Sequence, residues 1–259
     1  MSQPNEKPDF RQSNVYVVMY SVILTVVCGV LLAIAALGLK SAQDANIEME
    51  KKQNILSAAG IKTKTREEAA KLYGEKVVAY AVDFNGNKIE KVDVANLDIA
   101  VEWKKKPTER KLPIYEISNK KGEKADFFVV PVYGFGLWND IWGYVALKGD
   151  LTTINGVKFD HKGETPGLGA RIATDEIQQR YVGKKIFKDS KLTPIYMEKG
   201  EQGGGQRSID TFKSQDDKVD GMSGATITGV GVSAMLDDYL KCYEKFFKSK
   251  LGNDKVALN

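Results

Sequence analysis

Residues 15–39 read VYVVMYSVILTVVCGVLLAIAALGL, a run without a charged side chain, and this run decides how the chain is organised. At 1.5 Å of rise per residue, a helix of this length spans roughly 37 Å, more than the ~30 Å hydrocarbon core of a bilayer. Arg11 and Lys40 bracket the run, and Tyr16 and Tyr20 suit a membrane interface. The alternative is a cleaved signal peptide, whose apolar region is usually about 7–15 residues long. The sequence therefore predicts a single transmembrane helix that is retained as an anchor.

The anchor divides the chain into five predicted parts. A helical pattern continues after Lys40 as far as Gly60, where a glycine is typical of a helix end. The charges before the anchor cancel, so the expectation that the domain lies outside the cytoplasm comes from its position after one N-terminal span. The parts are a cytoplasmic tail (1–14), the transmembrane helix (15–39), a stalk helix (40–60), the main domain (61–250) and a C-terminal tail (251–259).

Composition and charge restrict the partners of the domain. The chain has 259 residues, of which 42% are hydrophobic and 28% charged, so a packed core can form. The net charge of +4 is small and no arginine-rich stripe is present, so nucleic acid is not a predicted partner. Membrane lipid is a predicted partner because of the anchor helix, since the charge is too small to indicate an anionic membrane surface. Cys28 lies in the apolar run, Cys242 lies in a late helical segment, and His161 is the single histidine. These positions predict no metal site.

The rest of the chain alternates short strands with helices, which predicts an α+β domain. Asn85 and Gly86 tolerate the positive φ of a tight hairpin turn. Apolar residues recur at helical spacing in Gly229–Lys250, and Gly200–Gln206 is typical of a flexible loop. The predicted strands are Val77–Phe84, Lys88–Val94, Ile114–Ser118, Asp126–Val132, Ile141–Leu147 and Thr152–Asp160, with short helices at Thr65–Tyr73, capped by Thr65, and Thr174–Tyr181.

The segment Asp220-Gly-Met-Ser-Gly-Ala-Thr226, directly before the last predicted helix, suits a phosphate group. Ser223 and Gly224 permit a tight turn, and the helix start offers unpaired N–H groups and the positive end of the helix dipole. The hydroxyl of Thr226 can become a phosphoester oxygen, and Asp220 can help to activate it or hold a divalent ion during transfer. The simpler interpretation is a helix cap by Ser223, with Thr226 as a polar residue of the first turn, and alone the segment favours it.

Two glycine-rich stretches add to this segment. Tyr133-Gly-Phe-Gly-Leu-Trp138 puts Leu137 and Trp138 on a turn where glycines let a planar ligand approach the backbone. In His161-Lys-Gly-Glu-Thr-Pro-Gly-Leu-Gly169, backbone N–H groups can face the polar edge of such a ligand, and Glu164 and Thr165 add polar side chains. Alone, the first stretch is a strand-end turn with a core tryptophan, and the second is an ordinary surface loop.

Together, in this order behind one anchor, these segments resemble the C subunit of the sodium-translocating NADH:quinone reductase. The resemblance covers nearly the whole chain and includes KKQNIL at residues 51–56. It implies that Thr226 carries FMN through a phosphoester bond, which a magnesium-dependent flavin transferase installs from FAD after recognising a motif that includes Asp220. One departure is Gly229, where the family often has serine. We expect Gly229 to affect helix capping more than attachment.

The resemblance also implies an electron-carrying role. The chain would belong to a sodium-pumping NADH:quinone oxidoreductase of the bacterial inner membrane, with its domain on the periplasmic side and the other subunits as partners. It would relay electrons between neighbouring redox centres and would not be a catalyst alone, so no catalytic residue is predicted. The predicted FMN contacts are Thr226 (covalent), Ser223, Gly224, Ala225, Leu137, Trp138, Glu164, Thr165, Gly167, Leu168 and Gly169.

Two alternatives stay open from the sequence. The related G subunit of the RNF electron-transport complex shares the anchor and the Ser-Gly-Ala-Thr segment, but residues 51–56 and the Tyr133–Trp138 stretch favour the reductase. A tethered binding or assembly module without flavin would use the same anchor and sheet.

Overall fold

The computed structural model describes residues 13–256. The chain forms two units, residues 1–48 and 49–259, and helix α1 (Asn14–Ala58) contributes to both. Most of the predicted N-terminal tail and residues 257–259 lie outside the described residues, and Asn14 already belongs to α1.

The first unit consists, within the described residues, of the membrane-anchoring part of α1. By length and composition, α1 is the one helix in the described chain that is able to cross a membrane, and it contains the predicted span 15–39. The hydroxyls of Ser21 and Thr25 donate hydrogen bonds of 2.8 Å to the carbonyls of Val17 and Ser21. These polar groups are therefore satisfied inside the helix, as a lipid environment requires.

Helix α1 ends at Ala58, and the helix C-cap predicted at Gly60 is confirmed. Gly60 has a φ of 81°, its N–H donates to Ser57, and the N–H of Ile61 donates to Leu56, each at 2.9 Å. This pair of hydrogen bonds is a Schellman motif, which satisfies the last carbonyls of the helix. The end of the stalk is also part of the domain core, because Ile55 and Leu56 are fully buried.

The second unit is built on a six-stranded antiparallel sheet in the order β2–β1–β3–β4–β5–β6. Its strands are β1 (Val77–Val82), β2 (Lys88–Ile89), β3 (Leu112–Ile117), β4 (Phe127–Phe135), β5 (Asp140–Lys148) and β6 (Ile154–His161). The shorter elements are α2 (Arg66–Lys76), α3 (Ile99–Trp103), α4 (Asp175–Gln179), α5 (Gly205–Phe212), β7 (Phe187–Lys188), β8 (Lys191–Leu192), β9 (Tyr196–Met197) and β10 (Lys218–Val219).

Different elements cover the two faces of the sheet. Alternating residues of β3 divide between two hydrophobic clusters: Leu112 and Ile114 pack with the last helix, α6 (Thr226–Val256). Tyr115 and Ile117 pack instead with the end of α1 and with α2. This alternation follows from the two-residue period of a strand. The predicted α+β class is confirmed.

Several predicted boundaries differ from the structure. The strand predicted at Lys88–Val94 ends at Ile89, shortly before Lys91 adopts a φ of 61°, which the extended strand conformation does not allow. The hairpin turn is confirmed, with Gly86 at a φ of 84°. The Thr65 cap is also confirmed, since its hydroxyl accepts from the N–H of Glu68, although α2 continues through Gly74. The helix α3 was not predicted.

The last helix is longer than predicted at both ends. It begins at Thr226 rather than Gly229 and continues to Val256, so residues 251–256 of the predicted C-terminal tail are helical. The prediction of a flexible loop over Gly200–Gln206 is wrong for its last two residues, because α5 begins at Gly205. The buried face of α6 agrees with the predicted pattern and contains Val232, Met235, Leu236, Tyr239, Leu240, Tyr243, Phe246 and Phe247.

Candidate functional site

The turn before α6 brings Thr226 to the first position of the helix. Gly224 has a φ of 71°, which a residue with a Cβ rarely adopts, and the N–H of Ala225 donates to the carbonyl of Met222 at 3.2 Å. The carbonyl of Ala225 then accepts the first helical hydrogen bond, from Gly229 at 3.0 Å. Ala225 therefore occupies the N-cap position, and the alternative in which Ser223 caps the helix is wrong.

An alanine at the N-cap leaves the helix start without a capping side chain from that position. Helices prefer serine, threonine, aspartate or asparagine there, because the side-chain oxygen accepts from an N–H of the first turn. The N–H groups of residues 226–228 precede the first helical hydrogen bond, so they have no partner within the helix. Thr226 itself is partly exposed beside these groups. The helix start therefore offers hydrogen-bond donors next to an accessible hydroxyl.

The carboxylate of Glu164, in the 161–169 loop, joins the turn that contains Trp138 to the first turn of α6, which follows the Asp220–Thr226 segment. Its Oε1 accepts a hydrogen bond of 2.9 Å from the N–H of Trp138, and its Oε2 accepts one of 2.6 Å from the hydroxyl of Thr228. Burial raises the pKa of the Glu164 carboxyl, but the hydrogen bonds from Thr228 and from the backbone of residues 137–139 outweigh it, so that pKa lies below its usual range. The Glu164 side chain is buried, and its carboxylate is bonded to donors of the protein itself.

Apolar side chains are exposed around this junction. Trp138 is 67% exposed, and Leu137 and Leu168 are also exposed. Leu168 lies close to the turn before α6, because a Cβ added to Gly224 would come within 2.8 Å of Leu168 Cδ2. The structure thus brings Trp138, Leu168 and the start of α6 to one face of the domain. Exposed tryptophan and leucine side chains are suited to cover a planar ring.

The remaining residues predicted in the 161–169 loop divide into two groups. Thr165 and Gly167 are exposed, and the carbonyl of Thr165 accepts from the N–H groups of Leu168 and Ala170. Gly169 is buried, and a Cβ there would lie 2.3 Å from Glu164 Oε2. The ring of His161 accepts a hydrogen bond of 3.3 Å from the N–H of Glu164. This histidine therefore helps to shape the loop.

Asp220 is fully buried, which differs from the accessible role that the sequence suggests. Its carboxylate accepts hydrogen bonds of 3.0 Å from the N–H of Gln202, and it also accepts from the hydroxyl of Ser208. The buried Arg180 lies 4.0 Å away and donates to the carbonyls of Asp220 and Gly221. In the folded chain, this carboxylate is therefore bonded to groups of the protein itself and shielded from solvent.

A second set of charges, which sequence reasoning missed, lies under the same turn. Glu201 binds both Arg171 and Arg180, at 2.7 and 2.6 Å, and also accepts from the N–H of Ser223 at 3.3 Å. The hydrogen bond from Arg171 lowers the pKa of Glu201 to about 2, burial opposes this, and Arg180 and Ser223 lower it further. These residues lie far apart in sequence and form no motif, so no local signal marks them.

Among the side chains that the structure describes, residues 13–252, no group of three or more histidine, cysteine, aspartate or glutamate residues is arranged to hold a metal ion. Cys242 is buried and lies 3.5 Å from the guanidinium of Arg110, remote in sequence from the three segments.

Comparisons with known proteins agree with this geometry. A family model described as the FMN-binding domain matches residues 136–241. The C subunit of the Na(+)-translocating NADH-quinone reductase of Haemophilus ducreyi is 34% identical over 230 residues, 82% of this chain and 83% of the relative. The corresponding protein of Vibrio parahaemolyticus is 31% identical over 236 residues, 84% of this chain and 87% of the relative. The chain belongs to this family of C subunits.

A solved structure from the same family supports the assignment. The crystal structure of the C subunit from Parabacteroides distasonis matches with a TM-score of 0.67 at 33% identity, and the match covers 81% of this chain and 96% of that chain. The predicted family resemblance is therefore confirmed. The matched FMN-binding domain begins at Gly136, so it contains the Leu137–Trp138 turn, the 161–169 loop and the turn before α6.

The charges under the turn predict a specific dependence of stability on pH. The folded-state pKa of Glu201 is about 2, below an unfolded value of about 4.3. The ionised carboxylate therefore stabilises the folded state fully above pH 4.3. This stabilisation is lost as the pH falls toward 2. Glu201→Gln should lower the free energy of unfolding at pH 7 by about 1–3 kcal/mol. The difference from wild type should shrink below pH 4.3, measured by urea unfolding of the full chain in detergent.

The matched control is Glu123→Gln, which neutralises an exposed glutamate in the loop before β4. It should leave the pH dependence unchanged. A stability difference for Glu201→Gln that stays constant down to pH 2 would show that Glu201 is not held ionised by the two arginines.

Proposed function

We propose that this chain is an electron-carrying flavoprotein subunit of the Na(+)-translocating NADH-quinone reductase, with FMN bound covalently through a phosphoester on Thr226. The observation that carries the proposal is the position of Thr226. It is the first residue of a helix whose N-cap is an alanine, inside the region that matches the FMN-binding domain. A phosphate on this hydroxyl would sit beside the unpaired N–H groups and the positive end of the helix dipole.

The residues of the site fit FMN in two respects. The helix start supplies donors for the phosphate, and the positive φ of Gly224 leaves the turn open where a Cβ would contact Leu168. The exposed side chains of Leu137, Trp138 and Leu168 supply apolar surface for the ring. Of the predicted contacts, Glu164 and Gly169 are buried under the site and would support it without touching the flavin.

Attachment by a flavin transferase would follow a balanced phosphoryl transfer. The Oγ1 of Thr226 attacks the FMN phosphorus of FAD, the pyrophosphate bond breaks, and AMP leaves while the hydroxyl proton is released. Because the Asp220 carboxylate is buried among protein donors, we propose that it contributes to recognition by fixing the shape of the turn. The isoalloxazine ring takes no part in the bond and stays free for electron transfer.

A covalent bond suits a flavin domain on the outer side of a membrane. Free flavin is dilute there, so a noncovalent flavin that dissociated would not be replaced. Bound FMN supplies reversible uptake of electrons, and the protein tunes it through nearby charges, hydrogen bonds and desolvation. An exposed ring face beside Trp138 would let electrons arrive from and leave to neighbouring subunits. The chain would therefore act as a relay within the complex and not as a catalyst alone.

The attachment site is tested by substitution of Thr226. When the chain is produced together with the flavin transferase, its band on a denaturing gel should fluoresce, and Thr226→Val should abolish the fluorescence because it removes the attacking oxygen. Thr226→Ser should retain it, and Thr211→Val, at an exposed threonine of α5, is the matched control. Undiminished fluorescence in Thr226→Val, or an unmodified 226 peptide in the wild type by mass spectrometry, would refute the proposal.

The position of the ring is tested by the flavin emission of the native chain. A tryptophan beside a flavin quenches its emission by electron transfer to the excited ring. Trp138→Phe should therefore increase the emission of the attached flavin, whereas Trp142→Phe, within β5, should not. Equal emission from wild type and Trp138→Phe would place the ring away from this side chain.

The proposed periplasmic position of the domain is tested by labelling. A cysteine introduced at exposed Lys120 should react with a membrane-impermeant maleimide in intact spheroplasts, because it would face the medium. A cysteine at Ser2, in the proposed cytoplasmic tail, should react only after lysis. The reversed pattern would place the domain in the cytoplasm.

A further inference from the structure

The carboxylate of Glu164, in the 161–169 loop, lies between the turn that contains Trp138 and the first turn of α6. It is buried, yet it bonds to the backbone N–H of Trp138 on one side and to the hydroxyl of Thr228 on the other. Thr228 is itself buried and lies two residues after the proposed attachment site. One side chain therefore joins the turn that carries Trp138 to the helical turn that carries Thr226.

Two glycines make room for this carboxylate. A Cβ added to Gly136 would lie 2.4 Å from Oε1 of Glu164, and a Cβ added to Gly169 would lie 2.3 Å from Oε2. Both distances are far shorter than any contact that a real Cβ atom makes. The absence of a side chain at these two positions thus leaves room for the buried carboxylate.

The charge of Glu164 is matched by donors from separate segments. The backbone of residues 137–139 and the hydroxyl of Thr228 all donate to it. Burying a carboxylate is unfavourable unless such donors surround it, so the carboxylate and its donors require each other. Loss of the carboxylate would leave donors from both segments unpaired at the same time.

We propose that Glu164 is the positioning residue of the flavin site, because it fixes the Leu137–Asn139 turn to the first turn of α6 and so sets Thr226 relative to Trp138. The functional consequence of this link, that Thr226 is presented correctly for flavin transfer, rests on the proposed function. The link between the two segments is a property of the chain itself and is tested without flavin.

The first experiment measures amide hydrogen exchange of the full chain in detergent, prepared without the flavin transferase. Glu164→Ala should increase exchange by about tenfold both in residues 137–139 and in α6 from Gly229 onward, where the N–H groups first have partners within the helix, because a hydrogen bond to the carboxylate is lost on each side. Glu164→Gln should restore protection, since its amide oxygen can accept from the turn while its amide N–H donates to Thr228. Increased exchange in one segment alone, or in neither, would overturn the proposal.

Thr228, which donates to Glu164, supplies a matched pair of variants in which the volume of the side chain changes little. Thr228→Val removes the hydroxyl at nearly constant size and should increase exchange in the same two segments, whereas Thr228→Ser keeps the hydroxyl and should not. Tyr243→Phe is the control, because it removes a different buried hydrogen bond of α6, to the carbonyl of Pro113. It should leave both segments protected, and increased exchange there would show a general loosening of the helix.

The second experiment measures the flavinylated fraction of the Thr226 peptide after reaction with the transferase and FAD. The initial rate of flavinylation should be the same for wild type, Glu164→Gln and Tyr243→Phe. It should be about tenfold lower for Glu164→Ala and for Thr228→Val. Equal modification of Glu164→Ala and wild type would overturn the positioning role. An unmodified wild-type peptide would instead refute the attachment at Thr226, and the exchange experiment would still decide whether Glu164 links the two segments.

Discussion

The site depends on the direct contact between α6 and the backbone of β4. A Cβ added to Gly231 would lie 2.3 Å from the carbonyl oxygen of Phe135, so the helix rests on the strand without an intervening side chain. This contact brings Thr228, one turn earlier, within reach of the buried carboxylate of Glu164. A bulkier residue at 231 would lift the helix from the strand and separate the three segments.

Features that depend on a repeating pattern were predictable from the sequence. The charge-free run of residues 15–39 predicted the anchoring helix. The spacing of apolar residues after Gly229 predicted the buried face of α6. The motif segments were also found, because their glycines and specific residue order stand out locally. The structure brings these segments together, although they are separated by tens of residues in the chain.

The direction of side chains and the partners of charges were not predictable. A glutamate in a glycine-rich loop indicates a polar contact, but the sequence does not show that Glu164 points inward. The same holds for Asp220, which shares a short segment with Thr226 in sequence and yet lies in the core. Arg180 and Glu201 pair across 21 residues, and nothing in either neighbourhood marks the pair. Such contacts arise from the tertiary fold and leave no periodic trace in the sequence.

If FMN is attached to Thr226 as proposed, Ala225 links maturation of the protein to its folding. A helix start with alanine at the cap forgoes about 1 kcal/mol that a serine or asparagine would supply. With FMN on Thr226 as proposed, the phosphate oxygens would accept the hydrogen bonds that alanine cannot, so the prosthetic group would complete the secondary structure that carries it. The unmodified chain would then be the less stable form, and cellular proteases, which act on partly opened chains, would remove copies that missed their flavin.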